Sequence, residues 1–270
     1  MTSVSATTNR IDERFIRLGE SPALILYLTA GHPDFEASLR LAPLVAELAD
    51  VIEIGVPFSD PVADGPIIQA STQQALRQGM RLDDSFKVAL RTRAQCDTPI
   101  VFLTYYNPVL RHGLIRFADD AREAGVDGII CADLPVEEAG PFRDALVAKG
   151  MHFIPMVAPT STNERLEISC HLARGFVYCV SRAGVTGLQE AVSDELPEFL
   201  MRVRSYTELP RAVGFGVSNA EHARAVSQLA EGVIIGSALV DLVAKTPANR
   251  VEQSVRSFVG AIREGMNAGA

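Results

Sequence analysis

The sequence carries little positive charge and has no long apolar run. Its 25 lysines and arginines face 33 aspartates and glutamates, a formal net charge of −8, so a basic surface for nucleic acid or anionic lipid is not expected. No stretch approaches the roughly 18 consecutive apolar residues of a membrane span, and residues 1–10 lack the apolar core of a signal peptide. These absences predict a cytoplasmic protein that binds neither nucleic acid nor a membrane.

Residue patterns typical of metal and nucleotide sites are also missing. The four cysteines and five histidines fall at no metal-ligand spacing, and no two histidines lie four residues apart. The glycine fingerprint GxGxxG and the phosphate loop GxxxxGK followed by Ser or Thr do not occur. We expect no metal site, no bound dinucleotide, and four reduced cysteines, of which Cys131 and Cys179 lie in apolar segments.

Short apolar runs of strand length recur along the chain, with amphipathic segments between them. Near-continuous apolar runs are typical of parallel strands buried on both faces, and the intervening segments follow a helical period near 3.6 residues. Eight such units, with no Pro/Gly/Ser-rich linker, predict a single-domain (β/α)8 TIM barrel over residues 1–270. An open doubly wound sheet is the alternative. The predicted strands are Ala23–Ala30, Val51–Val56, Ile100–Tyr105, Gly128–Ala132, Phe153–Ala158, Phe176–Val180, Ala212–Val217 and Gly232–Ile235, and the clearest helices are Phe35–Leu48, Ile115–Ala124, Ala139–Ala148 and Ala220–Leu229.

A glutamate lies inside the second apolar run. The segment Val51–Val56 places Glu53 among buried residues, where loss of solvent disfavours the carboxylate and raises its pKa toward the range useful for proton transfer. Glu53 is therefore the first candidate for a catalytic acid or base. The alternative is a structural carboxylate, held inside the barrel by an arginine or a backbone N–H.

The loop after this strand adds two acids among prolines that restrict the backbone. Barrel active sites lie at the C-terminal ends of the strands, so Asp60 and Asp64 belong to the candidate site. The alternative role for either aspartate is to cap the helix that begins near Pro66. Asp133, at the end of the fourth run, points toward the same mouth, but it resembles an ordinary turn residue and we assign it no chemical role.

Glycines and serines follow three strands in the last third of the chain, in residues 181–187, 214–218 and 235–237. Glycine lets backbone N–H groups approach a ligand closely, and barrels often bind phosphate after their seventh and eighth strands. These segments predict a phosphorylated small substrate, although any single glycine can simply make a tight turn. Three lysines occur and none lies in or directly after an apolar run, which disfavours a Schiff-base aldolase. The reaction type that remains is acid–base catalysis by carboxyl groups on a phosphorylated substrate.

Large side chains near the same mouth would wall a flat apolar ligand. They are Tyr27, Leu103, Tyr105, Tyr178 and Phe215, although packing in the core is the commoner fate of each. The Tyr178 hydroxyl either finds a partner in the core or reaches the reacting centre.

Three motifs are specific enough to compare with known families. They are EIGVPFSDPVADGP at Glu53–Pro66, YYNP at Tyr105–Pro108 and SRAGVTG at Ser181–Gly187. With these motifs the chain resembles the tryptophan synthase alpha subunit family, from about Arg10 to about Met266. The resemblance therefore covers nearly the whole chain.

The resemblance implies an activity, retro-aldol cleavage of indole-3-glycerol phosphate to indole and glyceraldehyde 3-phosphate. Protonation of indole C3 creates an electron sink in the substrate itself, so the reaction needs an acid, a base and charge stabilisation. Family members form alpha2beta2 heterotetramers with a pyridoxal-phosphate beta subunit that receives the indole through a tunnel. The resemblance thus implies this partner, and it implies that this chain carries no cofactor.

The resemblance also implies roles for individual residues. Glu53 would move the protons, Asp64 would accept the indole N–H, and Tyr178 is similar to the family's active-site tyrosine. Asp60 and Thr186 would couple partner binding to catalysis, with Thr186 on a lid. The phosphate would rest on Gly187, Gly216, Gly236 and Ser237, and the indole pocket would be lined by Tyr27, Leu103, Tyr105, Ile130, Ala132 and Phe215.

Tyr27 departs from the family pattern, in which phenylalanine forms that wall of the pocket. Its additional hydroxyl needs a hydrogen-bond partner. The motifs do not separate the alpha subunit from a stand-alone lyase that releases free indole. Glu53 and the loop from Asp60 to Asp64 argue against a phosphosugar isomerase and against a non-catalytic activating subunit.

Overall fold

The computed structural model describes residues 9–181, 195–214 and 216–268. In these residues parallel strands alternate with helices. The strands are β1 (Ala23–Thr29), β2 (Val51–Gly55), β3 (Ile100–Thr104), β4 (Gly128–Cys131), β5 (His152–Phe153), β6 (Met156–Val157), β7 (Val177–Val180), β8 (Arg211–Gly214) and β9 (Gly232–Ile235). The α-helices are α1 (Arg10–Leu18), α2 (Phe35–Leu48), α3 (Pro66–Arg77), α4 (Leu82–Arg93), α5 (Tyr106–His112), α6 (Leu114–Glu123), α7 (Gly140–Val147), α8 (Asn163–Leu172), α9 (Leu196–Arg204), α10 (Ala220–Ser227), α11 (Ser237–Lys245) and α12 (Val251–Asn267).

The strands form one curled sheet in the order β5-β4-β3-β2-β1-β9-β8-β7-β6, and its two end strands are successive in the chain. The sequence predicts one strand over Phe153–Ala158, but Pro155 has no N–H to donate and interrupts it. The Ile154 N–H donates to the Ile129 carbonyl at 2.9 Å, and the Pro155 carbonyl accepts the Tyr178 N–H at 3.1 Å. Because this segment bonds to both neighbours, the sheet closes as the predicted (β/α)8 barrel.

Successive side chains of each strand alternate between the barrel interior and the layer of helices. On β1, Tyr27 points into the barrel and Leu26 packs against the helices. On β2, Val51 is an interior residue, so Glu53 and Gly55 share its face. Since Tyr27 and Glu53 are register partners, the fold places them side by side inside the barrel.

Helix α1 covers the N-terminal end of the barrel. Its cap is Asn9, whose side chain accepts the Ile11 N–H at 2.9 Å and donates to the Asp127 carbonyl at 2.9 Å. Ile11 fills the space beside Gly128 and Gly175, where an added Cβ would lie 2.9 Å from its side chain. In the part of the chain that the structure describes, α1 covers this end, which leaves the C-terminal ends of the strands as the open end of the barrel.

Three further features bear on the expected class of protein. No helix in the described part of the chain is long and apolar enough to cross a membrane. All four cysteines are free thiols. Over residues 9–181, 195–214 and 216–268, no group of three or more His, Cys, Asp or Glu side chains is placed to hold a metal ion.

Candidate active site

The open end of the barrel contains a cleft with about 570 Å³ of empty space, part of it open to solvent. Strand ends and the first turns of α3 and α11 form its wall. The predicted site residues that line it are Tyr27, Glu53, Asp64, Leu103, Tyr178, Gly216, Gly236 and Ser237. The fold therefore brings together residues that are spread over most of the sequence.

Glu53 lies on the interior face of β2 and is completely buried. Among the described residues, neither of its carboxyl oxygens has a hydrogen-bond partner, so the structural alternative of a carboxylate held by an arginine or a backbone N–H is not found there. Burial raises the pKa of Glu53 to about 8, which keeps most of the carboxyl group protonated at neutral pH. A neutral carboxyl group in a cleft can give a proton to a ligand and take one back.

Asp64 enters the cleft from the loop between β2 and α3. Burial raises its pKa to about 6, and a hydrogen bond from the Tyr105 hydroxyl opposes that shift. The capping role considered for this residue is wrong, because the N-cap of α3 is Gly65 and no side chain caps that end. Tyr105 also accepts the Ala63 N–H at 3.1 Å and stacks on Phe58 with ring centroids 5.1 Å apart. It therefore supports the Asp64 loop from behind.

Tyr27 and Tyr178 hold similar positions on two different strands. Tyr27 leans over Gly55 of the neighbouring strand β2, where an added Cβ would overlap its hydroxyl oxygen. Tyr178 leans in the same way over Gly214 of β8. Burial raises the pKa of each phenol well above its ordinary value, so both hydroxyls keep their protons at neutral pH. Each tyrosine ring can therefore hold this position only because the residue beneath it, at the end of the next strand, is a glycine without a Cβ.

The last two strands of the barrel end in backbone suited to an anion. Helix α11 begins at Ser237 directly after β9, and the first N–H groups of a helix have no acceptor within it. Gly216 follows β8 with a φ of 93°, a left-handed conformation that glycine adopts freely. His222 of α10 holds this turn, because its Nδ1 lies 3.1 Å from the Gly216 carbonyl, which can only accept. His222 is not among the residues predicted from the sequence.

Three further predicted residues, all described, are not part of the cleft lining. Ile130 packs in the interior of the barrel, and Ala132 lines a separate cavity between β4 and α8. Asp60 is exposed, and its carboxylate accepts the Ser59 hydroxyl at 2.5 Å. Phe215, Thr186 and Gly187 lie outside the described residues, together with the rest of residues 182–187.

Other lining residues are absent from the sequence-based prediction. They are Gly65, Ile67, Ile68, Val217 and Ile234. Ile67 and Ile68 did carry a signal, since they are adjacent isoleucines in the first turn of a polar helix, directly after the Asp64 loop. Two adjacent isoleucines on an otherwise polar helix indicate that this turn contacts apolar residues or an apolar ligand.

Comparison with known proteins decides the family. The family model of the tryptophan synthase alpha chain matches residues 16–268. The chain belongs to the tryptophan synthase alpha chain family. It is 44% identical to the tryptophan synthase alpha chain of Caldanaerobacter subterraneus subsp. tengcongensis, over 95% of this chain and 99% of that one.

Solved structures in this family share the fold. A chain of Mycobacterium tuberculosis tryptophan synthase superposes with a TM-score of 0.87 at 37% identity, over 96% of this chain and 98% of that chain. A chain from the tryptophan synthase a2b2 complex of the hyperthermophile Pyrococcus furiosus gives 0.84 at 38% identity, over 90% and 98%. Membership of this family confirms the barrel predicted from the sequence and excludes the open sheet.

Proposed function

We propose that the protein is a lyase that cleaves indole-3-glycerol phosphate to indole and glyceraldehyde 3-phosphate. Its membership of the tryptophan synthase alpha chain family supports this reaction. The observation that carries the proposal is Glu53, a fully buried carboxyl group with no hydrogen-bond partner among the described residues, in the same cleft as Asp64.

The reaction delivers one proton and removes another. Indole C3 takes a proton, which turns the ring into an iminium-like electron sink. The carbinol hydroxyl then loses its proton, the bond from C3 to the carbinol carbon breaks, and its electron pair returns to the ring. Glu53 starts protonated at neutral pH because its pKa is about 8. It gives the first proton, takes the second as a carboxylate, and ends the cycle unchanged.

Asp64 stabilises the charge that develops on the ring. With a pKa of about 6, it is mostly ionised at neutral pH and can accept the indole N–H, which becomes more acidic as the ring gains positive charge. The hydrogen bond from Tyr105 keeps the carboxylate in place. Tyr178 lies close enough to both acids for their charges to raise its pKa further, which supports its assignment to the reacting centre.

The phosphate group binds at the other end of the cleft. Gly216, Gly236 and Ser237 line the cleft here, and the positive end of α11 begins at Ser237, which supports a phosphate held by their backbone N–H groups. The resemblance adds Gly187 to this group and Thr186 to a lid over it. The indole ring lies between Tyr27, Leu103 and the isoleucines of α3, which supply the apolar wall.

The chain acts as the alpha subunit of an alpha2beta2 heterotetramer and passes indole to a pyridoxal-phosphate beta subunit for tryptophan synthesis. One structural neighbour comes from such an a2b2 complex. The loop after β2 suits a partner surface, because Asp60 is exposed and Val62 is 72% exposed. The cofactor belongs to the partner, and the cytoplasm remains the predicted location.

The test is to incubate the purified chain with indole-3-glycerol phosphate, with and without a tryptophan synthase beta subunit, and to follow indole and tryptophan by chromatography. We expect slow indole release from the chain alone and faster release with the beta subunit. Rapid release without a partner would favour a stand-alone lyase. No release under either condition would refute the proposed reaction.

Two variants complete this test. Glu53→Gln keeps the shape of the side chain but cannot cycle a proton, so its kcat should fall by about 10²- to 10⁴-fold. Glu47→Gln, on the exposed side of α2, is the matched control and should keep full activity. If Glu53→Gln cleaves the substrate at the wild-type rate, Glu53 is not the acid–base group.

The proposed coupling at Asp60 has its own test. Asp60→Ala should still cleave the substrate when alone but gain less than the wild type from the beta subunit. Full activation of Asp60→Ala would contradict that role.

A further inference from the structure

The hydroxyl of Tyr27 starts a short chain of hydrogen bonds that runs from the cleft into helix α3. Its Oη lies 3.2 Å from Oγ1 of Thr29, and that oxygen lies 2.7 Å from Oγ of Ser71. Ser71 donates to the carbonyl of Ile68 at 2.8 Å. Thr29 and Ser71 are 1% and 2% exposed, so these hydrogen bonds are shielded from solvent.

The end of this chain sets the direction of every proton in it. Each hydroxyl has one proton to donate, and a carbonyl can only accept. The Ser71 proton is used on Ile68, so Ser71 must accept from Thr29. Thr29 then has no proton left and must accept from Tyr27. The Tyr27 oxygen therefore has no proton for a ligand and offers the cleft only its remaining lone pair.

The position of this oxygen relates it to the reacting centre. It lies over Gly55, in the space that a Cβ there would occupy. Gly55 is two residues beyond Glu53 on β2, on the same face of the strand and closer to the mouth. The Tyr27 oxygen is thus next along the barrel from the Glu53 carboxyl group.

We propose that the Tyr27 oxygen recognises a hydroxyl group on the glycerol chain of the substrate by accepting a hydrogen bond from it. This inference rests on the proposed function. The substrate has three donors that face outward, the indole N–H and two chain hydroxyls, and the N–H is assigned to Asp64. Because Glu53 protonates indole C3 and takes the proton of the carbinol hydroxyl, the other hydroxyl of the glycerol chain is the free donor that comes next to Glu53 and therefore next to Tyr27.

Tyr27→Phe tests this recognition, since it removes the oxygen and keeps the ring over Gly55. We expect KM for indole-3-glycerol phosphate to rise about three- to tenfold, the size of one lost hydrogen bond, while kcat stays within about twofold. The dissociation constant of 3-(indol-3-yl)propyl phosphate, the same molecule without the chain hydroxyls, should not change. Tyr206→Phe removes the same atom from a half-buried tyrosine after α9 and should change neither constant.

The two ligands separate recognition from simple packing. If Tyr27→Phe weakens the binding of both ligands equally, the oxygen supports the shape of the cleft and the proposal is overturned. It is also overturned if KM for the substrate stays at the wild-type value.

A second pair of variants tests the direction in which Tyr27, Thr29 and Ser71 donate their hydrogen bonds. Thr29→Ser keeps the acceptor for the Tyr27 proton and should keep the wild-type KM. Thr29→Val has nearly the same shape but leaves the Tyr27 proton without its acceptor, so the Tyr27 lone pair is no longer held toward the substrate hydroxyl. We expect Thr29→Val to raise KM, and an unchanged KM would contradict the assigned direction.

Failure of this inference differs from failure of the proposed function. A wild-type chain that releases no indole refutes the reaction. A wild-type chain that releases indole, with Tyr27→Phe unaffected, refutes only the role of Tyr27.

Discussion

The two ends of the barrel bury carboxylates in opposite ways. At the N-terminal end, Asp127 is 1% exposed and accepts the Ile100 N–H at 2.9 Å, Arg93 at 2.7 Å and Arg10 at 3.0 Å. At the C-terminal end, Glu53 is 0% exposed and has no hydrogen-bond partner within the described ranges. Both side chains are buried carboxyl groups, so the difference between them comes from their hydrogen-bond partners and not from their chemical type.

Other carboxylates at the N-terminal end of the barrel are paired with an arginine in the same way. Asp50, directly before β2, accepts the Leu24 N–H at 2.8 Å and Arg263 at 2.6 Å. Glu231, directly before β9, accepts the backbone N–H of Arg211 at 2.8 Å and its guanidinium at 2.6 Å. In each case an acid that precedes one strand ties down the start of the neighbouring strand and an arginine.

The pKa values express the same contrast. Burial acts to raise the pKa of Glu231, but the hydrogen bonds from Arg211 outweigh it and hold the pKa below its ordinary value. Burial acts alone on Glu53 and raises its pKa to about 8. Glu231 is therefore stabilised as an ion by Arg211, whereas Glu53 as an ion would destabilise the folded barrel. The open end of the barrel thus contains a buried carboxyl group that is less stable as an ion than the arginine-paired Glu231, and that keeps its proton at neutral pH.

The largest expected effect is on the pH dependence of stability. The folded protein holds the Glu53 proton up to a pKa of about 8, whereas the unfolded chain loses it near 4.5. The unfolded state therefore binds fewer protons between these values, and stability falls as the pH rises through them. Relative to Glu53→Gln, the wild type should lose on the order of 4 kcal/mol between pH 5 and pH 9.

Urea unfolding of both proteins across this range measures the difference. Glu47→Gln is the control, because Glu47 is exposed and its pair with Arg256 is worth less than about 1 kcal/mol. If the wild type and Glu53→Gln keep a constant difference from pH 5 to pH 9, Glu53 is not neutral in the folded protein.

The next largest effect is expected when the paired carboxylate at the N-terminal end of the barrel is removed. Asp127→Asn removes the charge that two arginines share and should cost on the order of 3 kcal/mol in the free energy of unfolding at neutral pH. The folded fraction should keep its kcat, because Asp127 lies at the end of the barrel that α1 covers. A large loss of kcat with little loss of stability would reverse the roles assigned to the two ends.

A smaller effect is expected in the pH profile of kcat/KM. The rate should fall below about pH 6, where Asp64 becomes protonated, and above about pH 8, where Glu53 loses its proton. Asp64→Asn should lower kcat/KM about 10- to 100-fold and abolish the acidic limb while the alkaline limb remains. An acidic limb that survives in Asp64→Asn would assign it to another group.

Much of the barrel and part of its site could be predicted from the sequence, for physical reasons. Strands buried on both faces need apolar runs, and a glutamate within such a run is visible because burial makes it costly. The break at Pro155 was not predicted, because the apolar pattern continues through it while the hydrogen bonding does not. The closure through Ile154 depends on β4 and β7, which lie far apart in the chain.

The finer geometry of the site depends on contacts that no local pattern records. Tyr105 was predicted to line the pocket, but its hydrogen bonds to the loop at Ala63 and Asp64 place it behind the cleft wall. Ala132 follows the last residue of β4, where strand alternation no longer decides the direction of a side chain, and it lines another cavity. The Tyr27 hydroxyl finds Ser71 only because α3 packs against β1.

The most direct test of this account is the titration of Glu53 itself. Carbon NMR of protein with labelled glutamate side chains, with Glu53→Gln to assign the signal, follows its carboxyl group across pH. We predict a midpoint near pH 8 for Glu53, while the signal of Glu231 titrates below its ordinary range. A midpoint near 4.5 for Glu53 would mean that it is charged at neutral pH, and would contradict the division of the barrel into a paired end and a reactive end.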